Sequence, residues 1–372
     1  MSRRDTGTDD PRVRVRPGRG SRPRSKVRPD WSEQPLGRVV SIDRGRYGVV
    51  LADPEGTRLI GVRARELGRG SLVLGDRVRM TGDLSGRPDT LARIVAIEDR
   101  STVLRRSRDD AADERSEKAI VANAQVMVVV VAAADPEPRT GMVDRCLVAA
   151  YEAGLEPVLC VTKSDLADPA PFVARFSPFG LTSVAVSLLA PEADGDEGKG
   201  KGEDEGDRAD PGLDRLRDLL ADRFSVLVGH SGVGKSTLIN ALVPGAGRAT
   251  GHVNAVTGRG RHTSTSAEAF ELPGGGWVAD TPGVRSFGLG HVSADDILAV
   301  FPDVAEAASW CLPMCTHAAD EPSCALDAWA VGAEPFARGG GALDADESAR
   351  RTARVAAVRR LLASLRAANP LP

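Results

Sequence analysis

A short stretch of the chain combines glycines, a lysine and three hydroxyl side chains in a spacing that suits nucleotide phosphates. Its residues are Gly229, His230, Ser231, Gly232, Val233, Gly234, Lys235, Ser236 and Thr237, which match the phosphate-loop pattern G-x-x-x-x-G-K-[ST]. The glycines allow backbone N–H groups to turn inward around phosphate oxygens, and the positive end of a following helix strengthens the attraction. Lys235 would contact the β- and γ-phosphates, and the Ser236 hydroxyl would ligate Mg²⁺. The stretch therefore predicts a nucleoside triphosphate site with magnesium.

A second group, Thr162, Lys163, Ser164 and Asp165, resembles the guanine-specificity motif N-K-x-D of GTPases. In that motif the carboxylate accepts hydrogen bonds from guanine N1–H and the N2 amino group. Adenine would leave the same charge unpaired, so Asp165 would select guanine. The stem of Lys163 would pack over the base. Thr162 stands where the motif has Asn, so its hydroxyl would supply part of the hydrogen bond that holds the loop. Ser187 ends the next predicted strand and occupies the place of the third base motif, S-A-K.

Two further segments have the character of nucleotide-sensing switches. Asp280 and Gly283 match the D-x-x-G motif, in which the Asp holds Mg²⁺ through water and the Gly N–H contacts the γ-phosphate. The polar, basic run 258–265 lies before them and suits a mobile switch whose Thr closes on Mg²⁺ and the γ-phosphate. Thr263 is the first choice for that residue and Thr265 the second. Because no Gln follows Gly283, His262 is the candidate for positioning the attacking water, with a contact to a partner as the equal alternative.

Three of the five cysteines cluster around a histidine near the C-terminus. The spacing is Cys311-x₃-Cys315-x-His317-x₆-Cys324, which offers three thiolates and one imidazole. Such a closed set is typical of structural zinc sites, and the alternative is a group of unligated buried thiols. The other two cysteines lie in apolar runs and are interpreted as core residues.

The nucleotide motifs need a parallel sheet to position them, and the apolar runs predict one. These runs alternate with helical spacing, which indicates βαβ units with both faces of the sheet covered. The predicted strands are Val126–Val131, Pro157–Val161, Ser183–Val186, Ser225–Val228 and Trp277–Asp280, with helices at Met142–Tyr151 and Leu213–Arg223. The motifs would then lie at the carboxyl edge of the sheet, where ligands bind in open α/β sheets.

The order of the motifs along the chain is unusual. In ordinary GTPases the phosphate loop comes first and the base motif last, whereas here Asp165 precedes Lys235. We therefore expect a circularly permuted domain, which a sheet tolerates when the original termini lie close together. The permutation would lead the segment after Asp280 directly into the C-terminal domain.

Residues 36–100 show five short alternating runs separated by turn residues, as expected for a small closed barrel of the OB-fold type. The barrel would either bind nucleic acid or serve only for packing. A basic surface would favour the first role, and six arginines suggest it: Arg38, Arg44, Arg46, Arg58, Arg63 and Arg65.

Charge is distributed unevenly although the net charge is only −3. Residues 1–28 carry ten Arg and Lys against three Asp, which is typical of a disordered tail that either suits a phosphate backbone or has no dedicated partner. Residues 191–212 are rich in Asp, Glu and Gly, so a disordered acidic insertion is expected. The N-terminus lacks an apolar signal segment, and no run approaches the ~20 apolar residues of a membrane span. We therefore expect a cytoplasmic protein with no membrane partner.

The permuted motif order, the run Gly-Arg-Gly-Arg-His-Thr-Ser-Thr at 258–265 and the Cys/His cluster together resemble the ribosome small-subunit-dependent GTPase A family, RsgA or YjeQ. The resemblance covers nearly all of residues 36–330. It implies an α/β P-loop GTPase domain that is circularly permuted, an N-terminal OB-fold and a small C-terminal domain that binds one structural Zn²⁺. It also implies GTP/GDP with Mg²⁺, and late maturation of the 30S subunit through its 16S rRNA, with hydrolysis stimulated by the subunit. A monomer is expected.

The resulting layout has a basic tail at 1–34, an OB-fold at 35–100, the GTPase domain at 101–292 and the zinc-binding domain at 293–372. Arg350–Ala367 would form a basic helix that lies against the domain or on rRNA. Three other functions remain open: a permuted GTPase acting on another RNA, an RNA-binding module that only senses nucleotide, and an ATPase.

Overall fold

Five strands near the N-terminus close into a barrel, as the alternating runs predict. The computed structural model describes residues 30–68, 70–107, 117–188, 210–247, 267–280, 287, 289–336 and 343–368. The five barrel strands are β1 (Leu36–Asp43), β2 (Arg46–Leu51), β3 (Arg58–Arg63), β4 (Arg77–Gly82) and β5 (Ala92–Ile97). The barrel order is β1-β2-β3-β5-β4 and closes by pairing of β4 with β1, with β3 and β5 parallel. Every second residue of β4 points inward, and Val78 and Met80 are fully buried. The OB-fold expectation is confirmed.

A hairpin that the sequence did not indicate follows the barrel. It consists of β6 (Val103–Ser107) and β7 (Glu117–Ala122), which pair as an antiparallel two-stranded sheet. Leu74, in the connection between β3 and β4, bridges to Val121, so the hairpin is attached to the barrel.

The second region is an α/β domain whose strands carry the predicted motifs. Its strands are β8 (Val126–Ala132), β9 (Glu156–Thr162), β10 (Thr182–Val186), β11 (Phe224–Val228), β12 (Ala267–Glu271) and β13 (Trp277–Asp280). They lie in the order β10-β9-β8-β11-β13-β12, and all neighbours are parallel except β12 and β13. All seven residues of β8 are buried because helices cover both faces of the sheet.

Helices flank the sheet and complete two apolar cores, one on each face. The helices of this region are α1 (Thr140–Glu152), α2 (Ala170–Val173), which continues as a 3-10 turn over Ala174–Phe179, α3 (Pro211–Leu220) and α4 (Lys235–Leu242). The strand order confirms the circular permutation, since β8, β9 and β10 precede the phosphate-loop strand β11 in the chain while β8 lies beside it in the sheet.

Strand β12 joins the barrel to the α/β sheet. It pairs with β13 on one side and with β1 on the other, where Ser41 lies opposite Glu268 and Ile42 opposite Ala267. The hydrogen bonding is therefore continuous from the barrel to the strand that ends at Asp280. Residues 34–372 form one compact unit.

The C-terminal region is helical. Its elements are α5 (Ala294–Ala299), α6 (Pro302–Ala308), α7 (Ala325–Val331) and α8 (Ala345–Ala368). Helix α8 begins at Ala345, five residues earlier than the basic run indicates. It packs against α1, since Arg360 binds Asp144 with its Nε 2.9 Å from Oδ2. The basic helix was expected to lie either against the domain or on rRNA, and in the structure it lies against the domain.

Candidate nucleotide site and Cys/His cluster

Four predicted motifs lie at the carboxyl edge of the parallel sheet. The phosphate loop follows β11, the base motif begins with the last residue of β9, Ser187 follows β10, and Asp280 ends β13. Because these strands are parallel, their carboxyl ends share one edge. Thr263, His262, Thr265 and Gly283 lie outside the described residues, so the structure describes the site without its switch residues.

Backbone geometry explains the glycines of the phosphate loop. Gly232 and Gly234 have φ of 84° and 91°, a region that side chains other than Gly rarely adopt. A Cβ at Gly229 would lie 2.3 Å from the carbonyl oxygen of Val130 on β8. The loop therefore requires glycine at these positions to turn closely over the sheet and enter α4.

Lys235 is directed back across the loop. Its ammonium donates to the carbonyl oxygens of Gly229 at 2.7 Å and His230 at 2.6 Å. Burial lowers the pKa of Lys235, and the nearby charge of Asp280 opposes that effect. Asp280 is itself 7% exposed. The lysine charge and the carboxylate predicted to hold magnesium thus face the same loop.

Thr162 connects the base motif to the phosphate loop. Its buried hydroxyl lies 3.1 Å from the carbonyl oxygen of Val131 and 2.5 Å from that of Val233. A hydroxyl has one proton, so it donates to one of these carbonyls at a time. A Cβ added at Gly234 would lie 3.4 Å from the hydroxyl oxygen of Thr162. The end of β9 is therefore held against the phosphate loop by the residue that stands in place of the motif's Asn.

The base-reading residues lie beside this connection. Asp165 is exposed, and its Oδ1 accepts a hydrogen bond from the Ser187 hydroxyl at 2.8 Å. Lys163 adopts φ of 54° and its ammonium donates to the Asp135 carbonyl. Ser164 donates its N–H to the Val186 carbonyl at 3.3 Å. Asp165 and Ser187, predicted from separate motifs, are thus in direct contact.

Asp210 is a residue of this site that sequence reasoning missed. The expectation of disorder extended to residue 212, but α3 begins at Pro211 with Asp210 as its N-cap. Its carboxylate also accepts a hydrogen bond from the Ser187 N–H at 2.6 Å. The disorder prediction was wrong for 210–212 because acidic composition hides a capping sequence, although Asp followed by Pro is a known helix-start signal.

A cavity of about 230 Å³ opens beside the phosphate loop, lined in part by Arg139, Met142, His230 and Ser231. Burial lowers the pKa of His230, and the charges of Arg139 and Lys235 lower it further. The neutral imidazole is therefore favoured next to the loop.

Two of the six barrel arginines contact the α/β sheet. Burial lowers the pKa of Arg38, whose guanidinium lies 5.0 Å from the ring centre of Phe224 on β11. Arg58 pairs with Glu271 at 2.6 Å and lies 5.3 Å from the ring centre of Trp277. Both side chains join the barrel to the α/β sheet.

The Cys/His cluster has the dimensions of a metal site. Nδ1 of His317 lies 3.6 Å from the sulfurs of Cys311 and Cys315 and 3.7 Å from that of Cys324. The sulfurs of Cys311 and Cys324 are 4.0 Å apart. Tetrahedral zinc with ordinary bond lengths requires about 3.6 Å between S and N and about 3.8 Å between sulfurs. The donor set and its spacing therefore fit a structural Zn²⁺.

A second charged cluster was not anticipated. His291 lies between two carboxylates, with Nδ1 2.8 Å from Glu117 on β7 and Nε2 2.6 Å from Glu152 on α1. Glu117 also accepts from the Gly290 N–H at 3.1 Å. The cluster fastens the chain entering α5 to the hairpin and to α1.

Comparison with known proteins assigns the family. The family model for the RsgA GTPase matches residues 97–192 and 206–290. A small ribosomal subunit biogenesis GTPase RsgA from Pseudomonas fluorescens (strain SBW25) is 38% identical over 258 residues, which are 69% of this chain and 68% of that protein. The chain belongs to the RsgA family. Against the RsgA of Pseudomonas aeruginosa (strain LESB58), also 38% identical, it spans 58% of the relative's length.

Two solved structures share the fold of this RsgA family member. YjeQ from Thermotoga maritima is 24% identical and has a TM-score of 0.53, with 79% of this chain and 90% of YjeQ covered. YloQ, described as a circularly permuted GTPase, is 22% identical with a TM-score of 0.52, with 88% of this chain and 96% of YloQ covered.

Within the described part of the chain, no helix is long and apolar enough to cross a membrane.

Proposed function

We propose that the protein hydrolyses GTP to GDP and phosphate and that this activity assists late maturation of the small ribosomal subunit. The observation that carries the proposal is the hydrogen bond from Thr162 to the Val233 carbonyl, which joins the base motif to the phosphate loop. The names of the RsgA relatives, small ribosomal subunit biogenesis GTPases, support the biological role.

The proposed roles of the residues follow from their positions. The loop N–H groups and Lys235 bind the phosphates, and Asp165 accepts from guanine with Ser187 holding it. Ser236, Asp280 and Thr263 would hold Mg²⁺, which neutralises charge on the phosphates when bound. Lys235 would supply further positive charge as water attacks the γ-phosphate in line, with His262 orienting that water. These roles rest on the motifs together with the contacts of Lys235, Asp165 and Ser187.

The partner we propose is the 30S subunit, contacted through its 16S rRNA, with the protein acting as a monomer in the cytoplasm. No Gln follows Gly283, so the free protein lacks the usual water-positioning side chain at that place. We therefore propose that the subunit completes the site and stimulates hydrolysis. The Cys/His cluster would bind one Zn²⁺ in a structural role, because four protein ligands leave no position open for substrate.

Two assays test the function. The first compares binding of GDP, GTP and ADP to the full chain, with Lys235→Ala as the variant and Lys118→Ala as a control outside the motifs. We expect tight guanine nucleotide binding that Lys235→Ala weakens by ten-fold or more, since the bond it loses is to a charged phosphate. Equal affinity for GDP and ADP would contradict the guanine assignment and favour an ATPase.

The second assay is single-turnover hydrolysis with and without purified 30S and 50S subunits. We expect slow hydrolysis by the free protein and acceleration by 30S alone. Acceleration by 50S or by another RNA, with co-sedimentation to match, would move the proposal to a different particle. A hydrolysis-deficient variant that retained the full biological role would indicate a nucleotide-sensing RNA-binding module.

A further inference from the structure

We propose that Asp210 is a positioning residue for guanine recognition, because its carboxylate fixes Ser187 and Ser187 in turn fixes Asp165. The inference rests on the proposed GTPase function and adds to it a residue outside the recognised nucleotide motifs. Asp210 acts through its neighbours and does not itself contact the base.

The contacts form one continuous chain from α3 to the base-reading carboxylate. Oδ2 of Asp210 accepts from the Ser187 N–H at 2.6 Å. Oδ1 accepts from the N–H groups of Gly212 at 2.7 Å and Leu213 at 3.1 Å. The Ser187 hydroxyl then donates to Oδ1 of Asp165 at 2.8 Å. Both oxygens of Asp210 are therefore engaged, one on the strand side and one on the helix side.

Ser187 needs this support because it lies just beyond the sheet. The parallel ladder between β10 and β9 ends where Val186 lies opposite Thr162. Ser187 is the next residue, and its N–H is held by Asp210. Asp165 is exposed, so the Ser187 hydroxyl is the contact that limits its rotation among the described residues. A carboxylate that reads two donors on guanine must keep one orientation, since misplacement reduces discrimination.

The residues after Asp210 set the distance to Ser187. Pro211 occupies the first turn of α3, where its missing N–H costs nothing. A Cβ at Gly212 would lie 1.9 Å from the Ala185 carbonyl oxygen. Only glycine allows the start of α3 to approach β10 this closely. Asp210 thus caps α3, Pro211 starts the helix and Gly212 allows its close approach to β10, and together they place the Asp210 carboxylate on Ser187.

The experiment measures binding of GDP, XDP and ADP to wild type, Asp210→Ser and Asp210→Asn. Ser is as good an N-cap as Asp, so Asp210→Ser keeps the helix start, but one hydroxyl cannot serve both α3 and Ser187. Asn keeps the size but has only one accepting oxygen, so when that oxygen caps α3 the amide N–H₂ faces the Ser187 N–H. In both variants we expect GDP affinity to fall about ten-fold, as for a lost hydrogen bond to a charged group, with ADP affinity unchanged.

Asp214→Ser is the matched control, because Asp214 lies on the same helix and pairs with Arg217 at 2.6 Å without contacting the base motif. It should keep the wild-type ratio of GDP to ADP and of GDP to XDP. Wild-type ratios in both Asp210 variants would overturn the inference. Equal loss of GDP and ADP binding would also overturn it, since that result indicates a structural role only. A wild type without preference for GDP over ADP would instead refute the proposed function beneath it.

Discussion

Removing the guanidinium of Arg360 should destabilise the protein strongly, because it would leave a carboxylate buried without its partner. Arg360 on α8 donates through Nε to both oxygens of Asp144 on α1, at 3.0 and 2.9 Å. Asp144 is 2% exposed. The same guanidinium lies 5.1 Å from the ring centre of Phe176 and 5.5 Å from that of Phe179. The perturbation we consider is Arg360→Met, which keeps the apolar stem and removes the charge.

The magnitude follows from the burial of the pair. Breaking a buried ion pair by removing one partner costs about 3–5 kcal/mol. The side chain of Arg360 is 32% exposed, so water partly screens the pair and the lower end, about 3 kcal/mol, is expected. With a urea m-value of about 3 kcal/mol/M for a large unit, the unfolding midpoint should fall by about 1 M.

The loss should also depend on pH, with a sign that the burial of Asp144 determines. Burial raises the pKa of Asp144, and Arg360 opposes that effect. A carboxyl group whose pKa is raised by folding makes the native state less stable as pH rises from its unfolded value of about 3.9 through its folded value. Without Arg360 the folded pKa rises further, so the destabilisation should be larger at pH 7.5 than at pH 5.

The assay is urea unfolding of the full chain at both pH values. Arg350→Met on the same helix is the matched control, because its side chain is 73% exposed and pairs only with Glu347 among the described residues. It should leave the midpoint unchanged. The double variant Arg360→Met with Asp144→Leu should recover most of the loss, since no buried charge remains. If Arg360→Met matched the control at pH 7.5, the reasoning about a stranded charge would be refuted.

Three further results are expected. Burial alone would lower the pKa of His291, but hydrogen bonds to Glu152 and Glu117 raise it. The stability that protonated His291 contributes is therefore complete below about pH 6.5 and is lost above its raised pKa. In urea unfolding, His291→Gln should reduce the free energy of unfolding more at pH 6 than at pH 8.5. Calorimetry should show that Thr162→Val, which loses the hydroxyl, reduces GDP affinity about ten-fold, whereas Thr162→Ser, which keeps it, retains the wild-type affinity. Elemental analysis should find one zinc per chain, absent in Cys315→Ala and retained in Cys160→Ala, and zinc that persisted in the Cys315 variant would contradict the ligand set.

Much of the fold could be predicted because burial patterns are local. The barrel strands alternate between buried and exposed residues, and β8 is apolar throughout, so each revealed its type and approximate ends. Strand β12 was not predicted, since Ala267–Glu271 has two acidic residues and one large apolar side chain. It is a strand because it lies between β1 and β13, and that neighbourhood is not encoded in its own five residues.

The directions of charged side chains were the least predictable feature. Counting arginines in the barrel indicated a basic outer surface, yet Arg38 and Arg58 point to Phe224 and Trp277. Arg359 on α8 likewise binds Asp327 at 2.7 Å and the His317 carbonyl at 3.1 Å, beside the Cys/His cluster. Arginine stems cover apolar surface while their charged ends find acceptors, so net charge along a segment does not fix which side it faces.

What separates the predictable contacts from the others is the topology rule for parallel strands. Thr162 and Val233 are 71 residues apart, yet their 2.5 Å contact could be anticipated in kind. Thr162 ends one parallel strand and Val233 lies in the loop that follows another, and the carboxyl ends of such strands share one edge. Asp144 and Arg360 are 216 residues apart and are also in direct contact, at 2.9 Å. No comparable rule states which helix α8 will cover, because helix packing depends on the shapes of both surfaces. Motifs that follow strands are therefore where sequence can indicate neighbours, and helix–helix ion pairs are where it cannot.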